Sequence, residues 1–188
     1  MYHFAVDTET TGFQDPYPVE IAVVNVMDPS ICFYARIKTE KEIHPMATKV
    51  HGICNLSLKN CASETEVMKD FVDFIKFHGG PNITLVAHNC KYDSSVIQNA
   101  LLRSNLDILT NPWECTLEKS RKLKYPKNSL EDCCKRANIP YENSHCALGD
   151  ALMCAKIYKF LDNEEILNEA LAQVNQEEQD FIEKIVKA

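Results

Sequence analysis

The sequence predicts an α/β protein in which helices flank a mixed sheet of five strands, the first three antiparallel. Three observations predict it. Apolar runs rich in β-branched residues open the chain, separated by short turn-rich segments. Further along, such runs alternate with stretches whose apolar residues recur at helical spacing. The 188 residues are 45% hydrophobic and 25% charged, the ordinary balance of a globular chain that buries one sizeable core. One domain over residues 1–160, followed by an acidic amphipathic helical extension over 161–188, is expected to account for the chain.

Tyr2 to Val6, Val19 to Val26 and Ile31 to Ile37 read as an antiparallel meander, with Met27-Asp28-Pro29-Ser30 as a turn. A linker holding Pro45 and His51-Gly52 follows. Ser63, with Glu66 three residues later, forms a capping box that opens a helix. The apolar stripe of that helix is Val67, Phe71, Phe74 and Ile75, and Gly79-Gly80-Pro81 ends it. Ile83 to Ala87 reads as a buried strand, and Asn89 caps a helix with the stripe Val96, Ile97, Ala100 and Leu101. Trp113 to Cys115 is a short last strand; further helices are predicted over Thr116 to Lys124, Ser129 to Ala137 and Ala147 to Phe160. In the extension, Ile166, Leu167, Ala170, Leu171, Val174, Phe181, Ile182 and Ile185 fall near helical spacing and are predicted to pack on the same domain.

Nine cysteines without a Cys-x-x-Cys pair argue against a secreted disulfide framework. The adjacent Cys133-Cys134 reads as two small core residues rather than a redox pair. The start of the chain has neither a basic region nor an apolar run of membrane length, so an intracellular, cytoplasmic protein without a membrane partner is expected. The net charge is −7, but residues 161–188 carry eight of the 27 acids and only two of the 20 bases, which leaves the rest nearly neutral. The concentrated basic run is Lys119, Arg121, Lys122, Lys124 and Lys127, suited either to steering a polyanion or to a solvated helix face.

Several acids stand where acids are unfavourable. Asp7 and Glu9 end the run Phe4-Ala5-Val6 and, two apart on a strand, point to one face, unless the strand simply stops there and both are solvated. Asp93 shares a helical stripe with Val96, Ile97 and Ala100, where it needs compensation beyond the favourable dipole at a helix start. Asp150 is flanked at helical spacing by Cys146, Ala147, Met153, Cys154 and Ile157, all apolar; a hydrogen-bonded structural aspartate is the plain alternative to a pocket for cations. His145 precedes Asp150 by five residues, so on one helix the two would point about 140° apart. They converge only if His145 lies in a loop from which the helix then starts.

Four convergent carboxylates are hard oxygen donors that suit Mg2+ or Mn2+ rather than zinc. Two such cations can assist in-line hydrolysis of a phosphodiester, and a neighbouring histidine such as His145 can take the proton from the attacking water.

Asp7-Thr8-Glu9-Thr10-Thr11-Gly12 resembles the first motif of the DEDDh 3'-to-5' exonucleases, the group of ribonuclease T and the proofreading epsilon subunit of bacterial DNA polymerase III. Ala87-His88-Asn89-Cys90-Lys91-Tyr92-Asp93 resembles the second motif, and His145-Cys146-Ala147-Leu148-Gly149-Asp150-Ala151 the third. Val50-His51-Gly52-Ile53 lies between them in the usual place, and the match spans about residues 1 to 160. The resemblance implies a three-layer ribonuclease-H-like fold, two Mg2+ or Mn2+ ions on Asp7, Glu9, Asp93 and Asp150, and His145 as general base. It also implies a substrate pocket formed by Thr10, Gly12, Phe13 and His51, where Phe13 stacks on the terminal base of single-stranded DNA or RNA unless its ring caps the core. Tyr92 departs from the usual phenylalanine, and Gly149 should loosen the helix locally. Two other readings are a proofreading subunit whose tail docks on a polymerase, with a homodimer as a further possible partner, and an inactive exonuclease-fold binding module.

Overall fold

A computed structural model describes residues 2–141 and 145–186, the last helix beyond residue 169 chiefly through its backbone. Three strands form the predicted meander: β1 (Tyr2–Thr10), β2 (Pro18–Asn25) and β3 (Cys32–Lys38). They pair antiparallel, with Asp7 opposite Ala22 and Glu9 opposite Glu20. β1 runs beyond its apolar stretch because pairing with β2 carries the acidic segment onward, until a register shift between Glu9 and Thr10. β4 (Ala62–Ser63), β5 (Ile83–Ala87) and β6 (Trp113–Cys115) complete the sheet in the order β4-β3-β2-β1-β5-β6. The sheet therefore has six strands rather than the predicted five: β4 pairs parallel to β3 over two residues, too few to leave a periodic pattern.

The segment read as a linker is a helix, α1 (Pro45–His51). His44 caps it, Pro45 occupies its first turn, and Gly52 ends it in the left-handed region at φ 73°. α2 (Glu64–His78) opens with the predicted capping box of Ser63 and Glu66 and stops at Gly79. α3 (Cys90–Arg103) begins at Asn89, but not through a side-chain cap: Asn89 is left-handed at φ 73°, and its side chain makes no capping hydrogen bond. α4 (Thr116–Lys122) and α5 (Leu130–Arg136) follow.

α6 (Ala147–Val186) is one continuous helix running past the predicted stop near Phe160 through the extension. Its Leu161 is buried, whereas Ile166 and Leu167, predicted to pack on the domain, stand 65% and 55% exposed. The side chains of Ala170, Leu171, Val174, Phe181, Ile182 and Ile185 lie outside the described ones. Gly149 is buried and helical within the first turns of α6. Among the described residues, no helix is long and apolar enough to cross a membrane.

These elements form three layers. α2 and α3 cover one face of the sheet around Phe4, Val6, Ile21, Val23, Phe71 and Ile97. α6 covers the other, where Ala22 and Val24 of β2 meet Ala147 and Ala151. Small side chains on both partners let the helix lie close to the strands. α5 packs on α6 through Cys133 and Cys134, which are core residues as predicted, beside Met153 and Ile157. All nine cysteines are free.

Candidate active site

The end of β1 and the start of α6 meet on the same face of the sheet. Asp7 and Glu9, two apart on β1, present their carboxylates there, and Asp150 comes from the first turn of α6. Atoms from these three carboxylates lie within 4.8 Å of one another, an arrangement that can hold a metal ion. Asp150 is 8% exposed; its Oδ2 accepts the backbone N–H of His145 at 3.1 Å, while its Oδ1 is buried without a hydrogen-bond partner.

Asp93 arrives from the opposite layer. It sits in the first turn of α3, buried, and its Oδ1 accepts both the backbone N–H and the hydroxyl of Thr8, at 3.1 and 2.8 Å. This satisfies the requirement for compensation on its apolar stripe. The structure thus draws Asp7, Glu9 and Asp150 into one cluster and fixes Asp93 alongside it, near enough that its charge raises the pKa of Asp7.

His145 takes the loop placement that its spacing from Asp150 demanded. It is left-handed at φ 61°, ahead of Ala147 where α6 begins, and it is exposed. His51 closes the other side at the end of α1. Its Nδ1 accepts from Ile53 N–H at 3.1 Å, so Nε2 carries the proton donated to the Thr10 carbonyl, also at 3.1 Å. Burial lowers its pKa, against the hydrogen bond to Thr10 and the charge of Glu20, which raise it.

Beside the carboxylates lies a cleft of about 580 Å³ lined by Glu9, Thr10, Gly12, Phe13, His51 and Tyr92, among others. All four residues predicted to touch substrate line it. Phe13 is 94% exposed, so its ring does not cap the core. Gly12 is at φ 144°, and a Cβ there would stand 3.2 Å from the His44 Cβ. Within the basic run, Lys119 is bound to Glu114, Asp162 and Glu165, whereas Arg121, Lys122, Lys124 and Lys127 are exposed.

Three residues escaped the sequence reading or were undervalued by it. Tyr92, noted only as a departure, reaches the Thr10 hydroxyl with its own at 2.8 Å. Burial raises the pKa of Asp150, and the His145 N–H and then the Tyr141 hydroxyl nearby oppose that rise. Glu20 is buried opposite Glu9. Its signal was present in the sequence, an acid between Val19 and the apolar stretch Ile21 to Val24.

The electrostatics are those of uncompensated negative charge. Burial pushes Asp7 well above the usual carboxylate range, and Asp93, Asp150, Glu9 and Glu20 push it further. Burial, then Asp150, Glu20 and Asp93, raises Glu9 to about 8, and burial also raises Asp93 and Asp150. Hard oxygen donors, mutual repulsion and the orphaned Asp150 Oδ1 together fit a divalent cation.

The six-stranded sheet, with acids at the end of its first strand, has the fold of solved exonuclease structures. A family model described as "Exonuclease" matches residues 4–158. The chain is 32% identical to the DNA polymerase III subunit epsilon of Buchnera aphidicola subsp. Acyrthosiphon pisum, with 81% of this chain and 69% of that one covered. It is 29% identical to the PolC-type DNA polymerase III of Latilactobacillus sakei subsp. sakei, covering 90% of this chain but only 12% of that one. Among solved structures, the nuclease domain of 3'hExo, a DEDDh family member bound to rAMP, superposes with a TM-score of 0.74 at 17% identity, covering 87% of this chain and 92% of that one. The chain belongs to the exonuclease family.

Proposed function

We propose that the protein removes nucleotides one at a time from the 3' end of single-stranded DNA or RNA, releasing nucleoside 5'-monophosphates. The observation that carries this is the convergence of Asp7, Glu9 and Asp150 within 4.8 Å beside an open cleft. Asp7, Glu9, Asp93 and Asp150 would hold two divalent cations, Mg2+ or Mn2+. When bound, these cations would supply Lewis-acid activation of water and neutralise charge developing on the phosphate and the departing 3' oxygen.

The chain's own residues supply position and proton transfer. Phe13, exposed at the cleft rim, stacks on the terminal base without reading its identity. Gly12 lets the sugar approach the backbone, and the Thr10 hydroxyl stays fixed by Tyr92. His51 stays neutral through its lowered pKa and braces the end of β1 through Thr10. His145 accepts the proton of the attacking water as the water oxygen bonds to phosphorus and the bond from phosphorus to the 3' oxygen breaks.

DNA and RNA strands labelled at either end, incubated with Mg2+, Mn2+ or a chelator, test the reading. A 5' label should ladder down by single nucleotides, and a 3' label should leave at once as a mononucleotide. Chelation should stop both. Cleavage of a circular strand would overturn exonuclease action.

A second reading has its own support: similarity to polymerase epsilon subunits, together with exposed Ile166 and Leu167 where α6 leaves the domain. On it, residues 161–188 dock on a polymerase, and proofreading is the task. Size exclusion of the chain alone and with a replicative polymerase subunit separates a lone enzyme, a homodimer and a complex.

A further inference from the structure

Glu20 stands near the start of β2, directly opposite Glu9 on β1 and Arg36 on β3. It therefore faces the same side of the sheet as the carboxylates of β1, the side covered by α6. Although it is 1% exposed, both of its carboxylate oxygens are engaged. Its Oε1 accepts the Tyr34 hydroxyl at 2.6 Å and Arg36 Nε at 3.0 Å, and its Oε2 accepts the backbone N–H of Ala147 at 2.8 Å.

Ala147 is the first residue of α6, and a helix's first amides have no partner within the helix. Cys146, just before it, brings no side-chain oxygen to cap them. Glu20 serves that need from a strand 127 residues away. Beside it, β2 and the start of α6 pack through apolar side chains, Ala22 and Val24 against Ala147 and Ala151. Such contacts set the separation of helix and sheet but not the sliding of one along the other; a hydrogen bond is directional and sets both.

We propose that Glu20 is a positioning residue: by reaching the first amide of α6 it fixes Asp150 and His145 in place relative to Asp7 and Glu9. This rests on the exonuclease reading above. The helix start is the one place from which both residues hang, Asp150 three residues after Ala147 and His145 two before it. Arg36 and Tyr34 hold the other oxygen, which keeps an acid tolerable so close to Glu9. Reach, rather than charge, is what the position requires.

Two conservative variants separate reach from charge. Glu20→Gln keeps the length and one acceptor oxygen for the Ala147 N–H but loses the charge, and its NH2 then faces the Tyr34 hydroxyl, which can rotate to accept, and the half-exposed Arg36, which can turn to water. Glu20→Asp keeps the charge but withdraws the oxygens by about 1.5 Å, one carbon–carbon bond. With Mn2+ and a single-stranded substrate, Glu20→Asp should lower kcat about 10- to 100-fold with little change in KM, the usual effect of removing an outer support. Glu20→Gln should stay within about threefold of the original. In metal-stripped protein, amide exchange over residues 147–151 should quicken in Glu20→Asp, while that of β1 and α2 stays unchanged. Glu20→Asp with full turnover and unaltered exchange, or Glu20→Gln impaired as much as Glu20→Asp, would overturn the proposal. If the unaltered protein degrades none of the substrates, the exonuclease reading fails, and the exchange pattern still decides whether Glu20 sets the start of α6.

Discussion

At the scale of single residues, the carboxylate cluster opposes folding and serves function, so substitutions there should move stability and activity in opposite directions. Asp150 Oδ1 is buried without a partner and close to Asp7 and Glu9. Asp150→Asn should therefore raise the melting temperature of the chelated protein by a few degrees, about 1 kcal/mol for a chain of this size, because a repulsive buried charge is gone. The same change should lower turnover at least about 100-fold and shrink the stabilisation by Mn2+. Calorimetry with and without the ion reads both signs. His145 is exposed and donates only its backbone to Asp150, so His145→Ala should leave Mn2+ affinity intact while kcat falls about 10²- to 10⁴-fold, the range for a lost general base. Phe13 differs in kind: no core packing depends on it. Phe13→Ala should raise KM rather than lower kcat, by the roughly 1–3 kcal/mol that one base-stacking ring contributes.

At the scale of elements, legibility followed the strength of the local signal. The capping box at Ser63 and Glu66, with a long apolar stripe behind it, marked α2 from its cap to Gly79. α1 did not show because its seven residues bury none of their side chains, so no hydrophobic period exists to be read. Its marks were punctuation: Pro45 at the first turn and Gly52 after the last. Gly52 is at φ 73° with open space where a Cβ would stand, so Gly52→Ala carries only the backbone penalty, about 1–2 kcal/mol, seen as a lower melting temperature. Because His51 precedes it and braces Thr10, KM should rise with it. Asp93 and Asp150 stood out as acids on apolar helical stripes, Asp7 and Glu9 as a pair two apart at the end of an apolar run. Glu20 announced itself the same way but was passed over, since its partners Tyr34, Arg36 and Ala147 lie on other elements and no spacing along the chain links them.

At the scale of the whole molecule, the site makes stability depend on pH and on cations together. Asp7, Glu9, Asp93 and Asp150 all have pKa values raised in the folded state, Glu9 to about 8, so these four groups bind more protons in the native protein than in the unfolded chain from about pH 4 upward. Their contribution to metal-free stability falls as pH rises through that window. His51 and His88 act oppositely: burial lowers their pKa values below 6.5, so their contribution is lost on acidification and fully present above that pH. Between about pH 7.5 and 8.5 the histidines are neutral in both states, and the slope there belongs to the carboxylates, Glu9 at about 8 among them. Thermal unfolding in chelator should show the melting temperature dropping across that interval, since each tenfold difference in proton affinity between folded and unfolded chain is worth about 1.4 kcal/mol per group. Saturating Mg2+ or Mn2+ should flatten or reverse the drop, because a cation binds the deprotonated cluster and stabilises only the folded form. Asp150→Asn should reduce the slope in chelator. A metal-free protein whose stability rises over the same interval would mean that these acids do not repel one another in the fold, and the basis for cation binding would go with it.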